Sequence, residues 1–198
     1  MAAEPVLAGA DYAAISGTLT FSDGIAGPQT FTVAVVDDSQ VEGDETITLT
    51  LQNPTGGASL GAPSTAVLTI IDSDSVGTLQ FSTGSYLELE VDGQAIITVT
   101  RTNGSNGQVS AGYRSSGGSA TAGQDYTPVS ETLVFGDGMA GPMTFTIPIS
   151  EDGVPEGDET IILLLENPTG GATLASPMTA TLTLIDDDHR VYLPLLSK

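Results

Sequence analysis

The sequence of 198 residues has no cysteine and only four lysine and arginine residues, against 25 aspartate and glutamate residues. The lack of cysteine excludes disulfides, thiolate zinc sites and a cysteine nucleophile. The net charge of -21 argues against nucleic acid or an anionic membrane surface as a partner, because both are polyanions. A surface with this charge attracts cations instead.

Long apolar runs and helical patterning are also missing. No segment approaches the ~20 apolar residues that a transmembrane helix needs, so membrane insertion is not expected. Residues 1–5 lack the basic start and the apolar core of an export signal. We therefore expect that any export signal has been removed or lies upstream. The composition still supports packed cores, since 39% of residues are hydrophobic and 15% are charged.

Short segments in which apolar and polar residues alternate indicate β-strands. The alternation is clear at residues 31–35, 47–51 and 68–70, and glycine, proline, asparagine or aspartate bound each run. Short strands at this spacing are typical of an antiparallel sandwich. We therefore predict an all-β protein.

An internal repeat divides the chain, because residues 11–74 align without a gap on residues 125–188 at about 60% identity. The constant offset of 114 predicts two modules of one fold. Three segments follow from it: a partial module at 1–74, a complete module at 75–188 and a C-terminal tail at 189–198.

The two modules differ in the number of strands that we predict. A seven-stranded sandwich needs about 100 residues. The first module has only the last four strands, near residues 16–21, 29–36, 45–53 and 64–72. The second module has counterparts of these and three more candidates, at 77–90, 94–102 and 108–115.

Acidic segments recur in both modules. In the second module they are the turn at 151–160 and the residues at 186–188, and in the first module the segments at 37–46 and 72–74. Since one strand leaves the turn and the next returns, both segments of a module lie at the same end of the sandwich. Carboxylates ~5 Å apart repel by roughly 3 kcal/mol per pair at an effective dielectric near 20. Ca²⁺ suits such a cluster better than Mg²⁺, because it accepts six to eight oxygen ligands in irregular geometry.

The combined motifs resemble the Calx-beta domain, the calcium-sensing module of sodium/calcium exchangers that also occurs in integrins and large bacterial surface proteins. The motifs are Asp125-Tyr126, the turn Glu151–Thr160, the hairpin Asn167–Gly171 and the ending Ile185–His189. The resemblance covers residues 76–188 in full and 11–74 in part. It implies an immunoglobulin-like β-sandwich with more than one Ca²⁺ ion at one end.

The resemblance also implies which residues bind Ca²⁺. The implied ligands of the second module are Glu90, Asp125, Glu151, Asp152, Glu156, Asp186, Asp187 and Asp188, with Glu159 as a further candidate. Those of the first module are Asp11, Asp37, Asp38, Glu42, Asp72 and Asp74, and Glu45 also matches. We expect the first site to be weaker or empty, because Ser73 replaces an aspartate and the strand with the counterpart of Glu90 is missing.

These features predict a non-catalytic bacterial protein, extracellular or at the cell surface. Ca²⁺ would rigidify the module ends and the junction near residues 72–76, and the role would be structural or adhesive. His189 is the only histidine, and no serine has a recognisable nucleophile setting, so we do not expect an enzyme.

The incomplete first module leaves two alternatives. The chain is a fragment of a longer repeat protein, or strands of a neighbouring chain complete the module and build a homo-oligomer, filament or surface fibre. The tail at 189–198 is one candidate donor strand. Pro194 limits it, because proline cannot donate to a strand ladder.

Overall fold

The computed structural model describes residues 7–188, and the predicted tail lies outside the described residues. Within this range the chain forms β-strands and one 3-10 turn, Glu90–Asp92, so the all-β prediction is confirmed. The strands are β1 Glu45–Thr50, β2 Thr65–Ile70, β3 Val76–Phe81, β4 Ser85–Leu89, β5 Gln94–Gly104, β6 Val109–Gly118, β7 Ser130–Phe135, β8 Gly141–Pro148, β9 Glu159–Thr169, β10 Thr173–Leu174 and β11 Thr179–Ile185. In the described residues no helix is long and apolar enough to cross a membrane.

The chain divides into two compact units, Met1–Asp74 and Ser75–Lys198. The second unit is a sandwich of a four-stranded sheet, β10-β3-β5-β8, and a five-stranded sheet, β4-β11-β9-β6-β7. Period-two alternation builds its core, because every second residue of a strand faces inward. In β9, for example, Ile161, Leu163 and Leu165 are buried. The ring of Phe145 in β8 stacks on Tyr113 in β6, with centroids 3.8 Å apart, and so joins the two sheets.

The segment at 77–90 is two strands rather than the one that we predict. β3 pairs with β5 in one sheet, and β4 pairs in parallel with β11 in the other. Residues between Phe81 and Ser85 take the chain from one sheet to the other. Phe81 and Tyr86 then meet edge to face across the core, with ring centroids 6.5 Å apart.

The first unit forms fewer strands than its sequence predicts. β1 and β2 make an antiparallel hairpin in which Glu45 faces Ile70, but residues 16–21 and 29–36 contain no strand, and Val35 makes only an isolated bridge to Tyr12. The prediction of four strands is therefore wrong for two of them.

The pairing in the second unit explains this difference. β7 pairs with β6 and β8 pairs with β5, whereas β9 and β11 pair with each other. At the offset of 114, counterparts of β9 and β11 are present as β1 and β2, but the described residues include no counterpart of β5 or β6, whose positions would fall before residue 5. A strand needs a partner for its backbone groups, so residues 16–21 and 29–36 remain without a ladder.

Arg101 in β5 holds together the end of the sandwich that lies away from the acidic loops. Its buried guanidinium donates hydrogen bonds of 2.8–3.1 Å to five backbone carbonyls. The acceptors are the carbonyls of Val76, Asn106, Gly107, Gly136 and Met139. One side chain thus joins the start of β3 to the β5–β6 and β7–β8 loops.

Candidate metal centre

Four loops bring acidic residues together at one end of the second unit. Glu90 lies in the turn between β4 and β5, Asp125 lies between β6 and β7, and residues 151–158 connect β8 to β9. The fourth segment, 186–188, follows β11. A hydrogen bond of 2.8 Å from the Ser150 amide to the Asp125 carbonyl joins two of the loops.

The closest group in this cluster consists of Asp125, Glu156 and Glu159. One carboxylate oxygen of each lies within 4.8 Å of those of the other two. Burial is the main cause that raises the pKa of Glu159 from 4.5 to about 7, followed by its hydrogen bond with Asp125 and by the negative charges of Asp125, Glu156 and Glu90. The group therefore holds more negative charge than the fold alone neutralises at pH 7.

Two carboxylate oxygens have the environment of unfilled ligand positions. Glu159 Oε2 and Asp187 Oδ1 are buried and accept no hydrogen bond from the described residues. A buried acceptor without a donor costs free energy, and a bound cation would remove this cost. Among cations, the oxygen-only donor set fits Ca²⁺ and excludes a thiolate-type zinc site.

Glu90 is also buried, with 7% of its surface exposed. Gly93 closes its turn in the left-handed conformation, at φ 70°, and donates to the Glu90 carbonyl at 3.1 Å. Burial raises the pKa of the Glu90 carboxyl, and the charges of Asp186, Glu151, Glu156 and Asp125 raise it further. The Glu90 carboxyl thus interacts electrostatically with acidic residues of the other three segments.

Asp186 connects the segment after β11 to the loop before β9. Its Oδ2 accepts the Glu156 amide at 2.9 Å, and its Oδ1 accepts the Asp188 amide at 2.9 Å. Both oxygens of the carboxylate are therefore oriented by backbone donors.

Glu151 and Asp152 organise their own loop. The Glu151 carboxylate accepts the Gly153 amide, and the Asp152 carboxylate accepts the Val154 amide, each at 2.8 Å. Both side chains are exposed. They influence the cluster through their negative charges. Burial is the largest cause of the raised pKa of Glu90 and of Glu156, and the charge of Glu151 adds to the first and that of Asp152 to the second.

The first unit gathers its predicted ligands around one cavity of about 80 Å³. All six of them line it, as does Glu45: Asp11, Asp37, Asp38, Glu42, Asp72 and Asp74. Hydrogen bonds repeat those of the second unit, because Asp72 Oδ2 accepts the Glu42 amide and Asp72 Oδ1 accepts the Asp74 amide, each at 2.8 Å.

Several negatively charged side chains also lie close together around this cavity. Desolvation raises the pKa of Glu42, and the charges of Asp11, Asp38, Glu45 and Asp72 add to the effect. Backbone donors have the opposite effect on Asp72, whose pKa the amides of Asp74, Gly43 and Glu42 lower. The strand with the counterpart of Glu90 is missing from this unit, as the sequence predicts.

The structure gives Glu159 a more central place than the sequence analysis does. A signal for this was present, because Glu159 lies two residues before Ile161 and therefore points to the same inward face of β9. Glu45 has the same relation to Ile47 in β1. Arg101 carried no comparable signal, since a single arginine in an alternating strand is usually exposed.

Comparisons with known proteins agree with this architecture. A family model described as the Calx-beta domain matches residues 3–74 and 72–188. The crystal structure of the apo-form Calx CBD1 domain superposes with a TM-score of 0.54 at 33% identity, over 56% of this chain and 97% of that one. A structure titled as the calcium binding domain CBD12 of CALX1.1 superposes with a TM-score of 0.54 at 34% identity, over 56% of this chain and 45% of that one. The prediction of an immunoglobulin-like sandwich is thereby confirmed.

Three relatives with longer chains are similar to large parts of this chain. Adhesion G-protein coupled receptor V1 of Danio rerio is 31% identical over 92% of this chain. Extracellular matrix protein 3 of Lytechinus variegatus is 35% identical over 78%, and the sodium/calcium exchanger Calx of Drosophila melanogaster is 34% identical over 56%. The chain spans only 3%, 5% and 12% of these proteins.

The repeat, the sandwich and the family match over both units lead to one conclusion. The chain belongs to the Calx-beta domain family.

Proposed function

We propose that the second unit binds Ca²⁺ through its acidic loops and that the chain is a non-catalytic, calcium-stabilised structural unit. The observation that carries the proposal is the pair of buried carboxylate oxygens without hydrogen-bond donors, Glu159 Oε2 and Asp187 Oδ1. They lie in a cluster of the hard oxygen ligands that Ca²⁺ prefers. The solved relative titled as a calcium binding domain supports the same ion.

The proposed ligands of the second unit fall into two groups. Side chains that are buried or held in the cluster supply the inner positions: Glu90, Asp125, Glu156, Glu159, Asp186 and Asp187. Exposed or peripheral carboxylates complete the site: Glu151, Asp152 and Asp188. More than one ion would be needed to neutralise so many carboxylates.

The mechanism is linkage between ion binding and folding. The carboxylates come from four loops, so Ca²⁺ would bind the folded unit and not the unfolded chain. Ca²⁺ at 1,000 times its dissociation constant would then add about 4 kcal/mol of stability per independent site. The ion would also hold the loop ends of the sandwich against each other, which stiffens the module.

The first unit would bind Ca²⁺ more weakly. Its cavity has the counterparts of the second unit's loop carboxylates but lacks that of Glu90. Ser73 also stands where the second unit has Asp187, whose Oδ1 is buried and accepts no hydrogen bond from the described residues.

An extracellular location and an adhesive or structural role complete the proposal. Two relatives support it by name, an adhesion receptor and an extracellular matrix protein. Free Ca²⁺ outside cells is plentiful enough for sites with dissociation constants of about 10⁻⁴ to 10⁻³ M to be filled.

Thermal unfolding of the full chain in Ca²⁺ and in chelator tests the calcium proposal. The melting temperature of the second unit should rise in Ca²⁺ by several degrees for each site filled. Glu90→Gln should reduce the rise. Asp92→Asn is the matched control, because Asp92 lies in the same turn but is exposed. A melting temperature that is equal in Ca²⁺ and in chelator would contradict the proposal.

A second candidate function is assembly, in which another chain supplies strands to the first unit. The observation that favours it is the exposure in the first unit of apolar residues whose second-unit counterparts are buried. Phe21 is 56% exposed, for example, whereas Phe135 is 1% exposed. Sedimentation at increasing concentration tests self-assembly, with or without the tail at 189–198, and a monomer throughout would exclude it.

A further inference from the structure

The end of β5 and the loop that follows it contain two asparagine–glycine pairs, Asn103-Gly104 and Asn106-Gly107. In such a pair the backbone nitrogen of the glycine can attack the side-chain amide of the asparagine, because glycine has no side chain that hinders the approach. The product is a cyclic imide. The other two asparagines of the sequence each precede proline, whose nitrogen carries no hydrogen to lose.

A carboxylate lies at the backbone nitrogen of Gly107. The Gly107 amide donates a hydrogen bond to Asp137 Oδ1 at 2.7 Å. The Gly138 amide donates to the Ser105 carbonyl at 2.8 Å, which holds the β5–β6 and β7–β8 loops together beside this contact. Asp137 is therefore positioned to accept the proton that Gly107 must lose when its nitrogen attacks.

A buried cation lies at the other side of the same peptide group. Arg101 Nη2 donates to the Asn106 carbonyl at 2.8 Å, and this carbonyl shares its peptide bond with the Gly107 nitrogen. Loss of the proton from that nitrogen places negative charge on the carbonyl oxygen by resonance. The guanidinium stabilises this charge in the same way as the donors of an oxyanion hole.

The backbone of Gly107 also leaves room for ring closure. Its φ of 69° lies in the left-handed region that favours glycine, and a Cβ at this position would have no heavy atom within 4 Å. The Gly107 nitrogen can therefore approach the Asn106 side chain without a steric block on that side.

The pair Asn103-Gly104 has the same residue types in a different environment. Gly104 ends β5 and pairs with Val76 of β3, and the backbone of Ser75 lies directly against it. Among the described residues no carboxylate accepts the Gly104 amide. The Asn103 carbonyl is not one of the five that the guanidinium contacts.

We propose that Asn106-Gly107 is a self-modification site, at which Asp137 and Arg101 promote cyclisation of the Asn106 side chain and its conversion to isoaspartate. The Gly107 nitrogen gives its proton to Asp137 and forms a bond to Asn106 Cγ. The bond from Cγ to Nδ2 then breaks, and Nδ2 leaves as ammonia with the proton that Asp137 returns. Ring closure needs no other reactant, and Asp137 ends as it began.

Arg101 selects the product when water opens the ring. The guanidinium polarises the backbone carbonyl of Asn106, so water adds to this carbonyl and its bond to the Gly107 nitrogen breaks. The carbonyl becomes a carboxylate, and the main chain then runs through Cγ, which makes the residue isoaspartate. The new carboxylate lies where Arg101 donates. Its charge favours this product, because the buried guanidinium otherwise donates only to neutral carbonyls.

Incubation of the full chain at neutral pH tests the proposal, followed by denaturation, trypsin digestion and mass spectrometry. Cleavage after Arg101 and Arg114 gives one peptide, residues 102–114, that contains both asparagine–glycine pairs. Fragmentation of this peptide assigns the conversion to Asn103 or Asn106, and labelling by isoaspartate methyltransferase identifies isoaspartate. In the folded chain Asn106 should convert at least about tenfold faster than Asn103, with isoaspartate as the main product.

One variant removes the base and keeps the hydrogen bond. Asp137→Asn still has an oxygen that can accept the Gly107 amide, but it cannot take the proton, so conversion of Asn106 should slow at least about tenfold. Asp92→Asn is the matched control. It removes the same charge from an exposed residue at the acidic end of the sandwich, so the rate at Asn106 should not change.

The unaltered chain in denaturing urea provides a test without any substitution. Unfolding separates Asp137 and Arg101 from the asparagine–glycine pair, so Asn103 and Asn106 should then convert at similar rates. Three results would overturn the inference: equal rates at Asn103 and Asn106 in the folded chain, an unchanged rate in Asp137→Asn, or aspartate as the main product. The inference involves no metal ligand, so its failure would leave the proposed function standing.

Discussion

Asp186 accepts the backbone amide of Glu156 at 2.9 Å, and the same relation recurs in the first unit, where Asp72 accepts the amide of Glu42 at 2.8 Å. In each unit one carboxylate thus connects the end of the last strand to the loop before the strand that pairs with it. That paired strand is β9 in the second unit and β1 in the first. The repetition makes the two sites comparable by matched substitutions.

Asp186→Asn should weaken Ca²⁺ binding by the second unit at least about tenfold, because it removes a negative charge from a carboxylate that the backbone holds in the cluster. Asp72→Asn should weaken only the binding that belongs to the first unit. Calorimetric Ca²⁺ titration of the full chain would resolve the two effects. Identical titration curves for the two variants would argue against separate sites.

The pKa of Glu159, raised from 4.5 to about 7, predicts a pH dependence of stability in chelator. The folded unit takes up a proton more readily than the unfolded chain, so this carboxyl stabilises the fold fully below pH 4.5. That contribution is lost as the pH rises towards 7. In urea unfolding with chelator present, the contribution of Glu159 to the free energy of unfolding should therefore fall between pH 4.5 and 7.

Glu159→Gln provides the control for the pH dependence. The variant has no proton to lose at this position, so its decline between pH 4.5 and 7 should be smaller than that of the unaltered chain. Ca²⁺ should oppose the decline in the unaltered chain, since the ion binds the charged carboxylate. An unchanged pH profile in Glu159→Gln would contradict the raised pKa.

Arg101→Lys should destabilise the second unit by about 2–4 kcal/mol, because a lysine cannot donate to all five carbonyls that the buried guanidinium contacts. Arg114→Lys is the matched control. Arg114 makes one half-exposed ion pair with Glu166 at 3.1 Å, so its replacement should cost about 0–1 kcal/mol. Urea unfolding measures both, and an equal loss in the two variants would refute the role assigned to Arg101.

Ca²⁺ affinity adds an independent readout for Arg101. The side chain holds loops at the end of the sandwich away from the acidic residues, so the folded Arg101→Lys variant should bind Ca²⁺ as tightly as the unaltered chain. A large change in affinity would show that the two ends of the sandwich are coupled.

Local patterns in the sequence predicted much of the fold. The alternation at residues 47–51 predicts β1, and the repeat predicts its counterpart β9. These strands form in both units because their partners, β11 and β2, lie close in the chain. Alternation alone failed at residues 16–21, since a strand also depends on a partner that the local sequence does not show.

The candidate site was predictable to the extent that it consists of acidic loops. Asp125 and Glu156 were among the predicted residues, and the structure brings them within 4.8 Å of Glu159. The central place of Glu159 follows from its inward position in β9, which the acidic pattern does not reveal. The carbonyls that Arg101 contacts lie up to 38 residues from it in the chain, so no local motif could indicate this arrangement.

Calorimetric titration of Ca²⁺ into the chelator-treated chain tests the central claim most directly, with Glu159→Gln measured beside the unaltered protein. The account predicts saturable binding of more than one ion per chain and a loss of at least about tenfold in second-unit affinity for Glu159→Gln. No binding up to millimolar Ca²⁺, or the same affinity in both proteins, would contradict it.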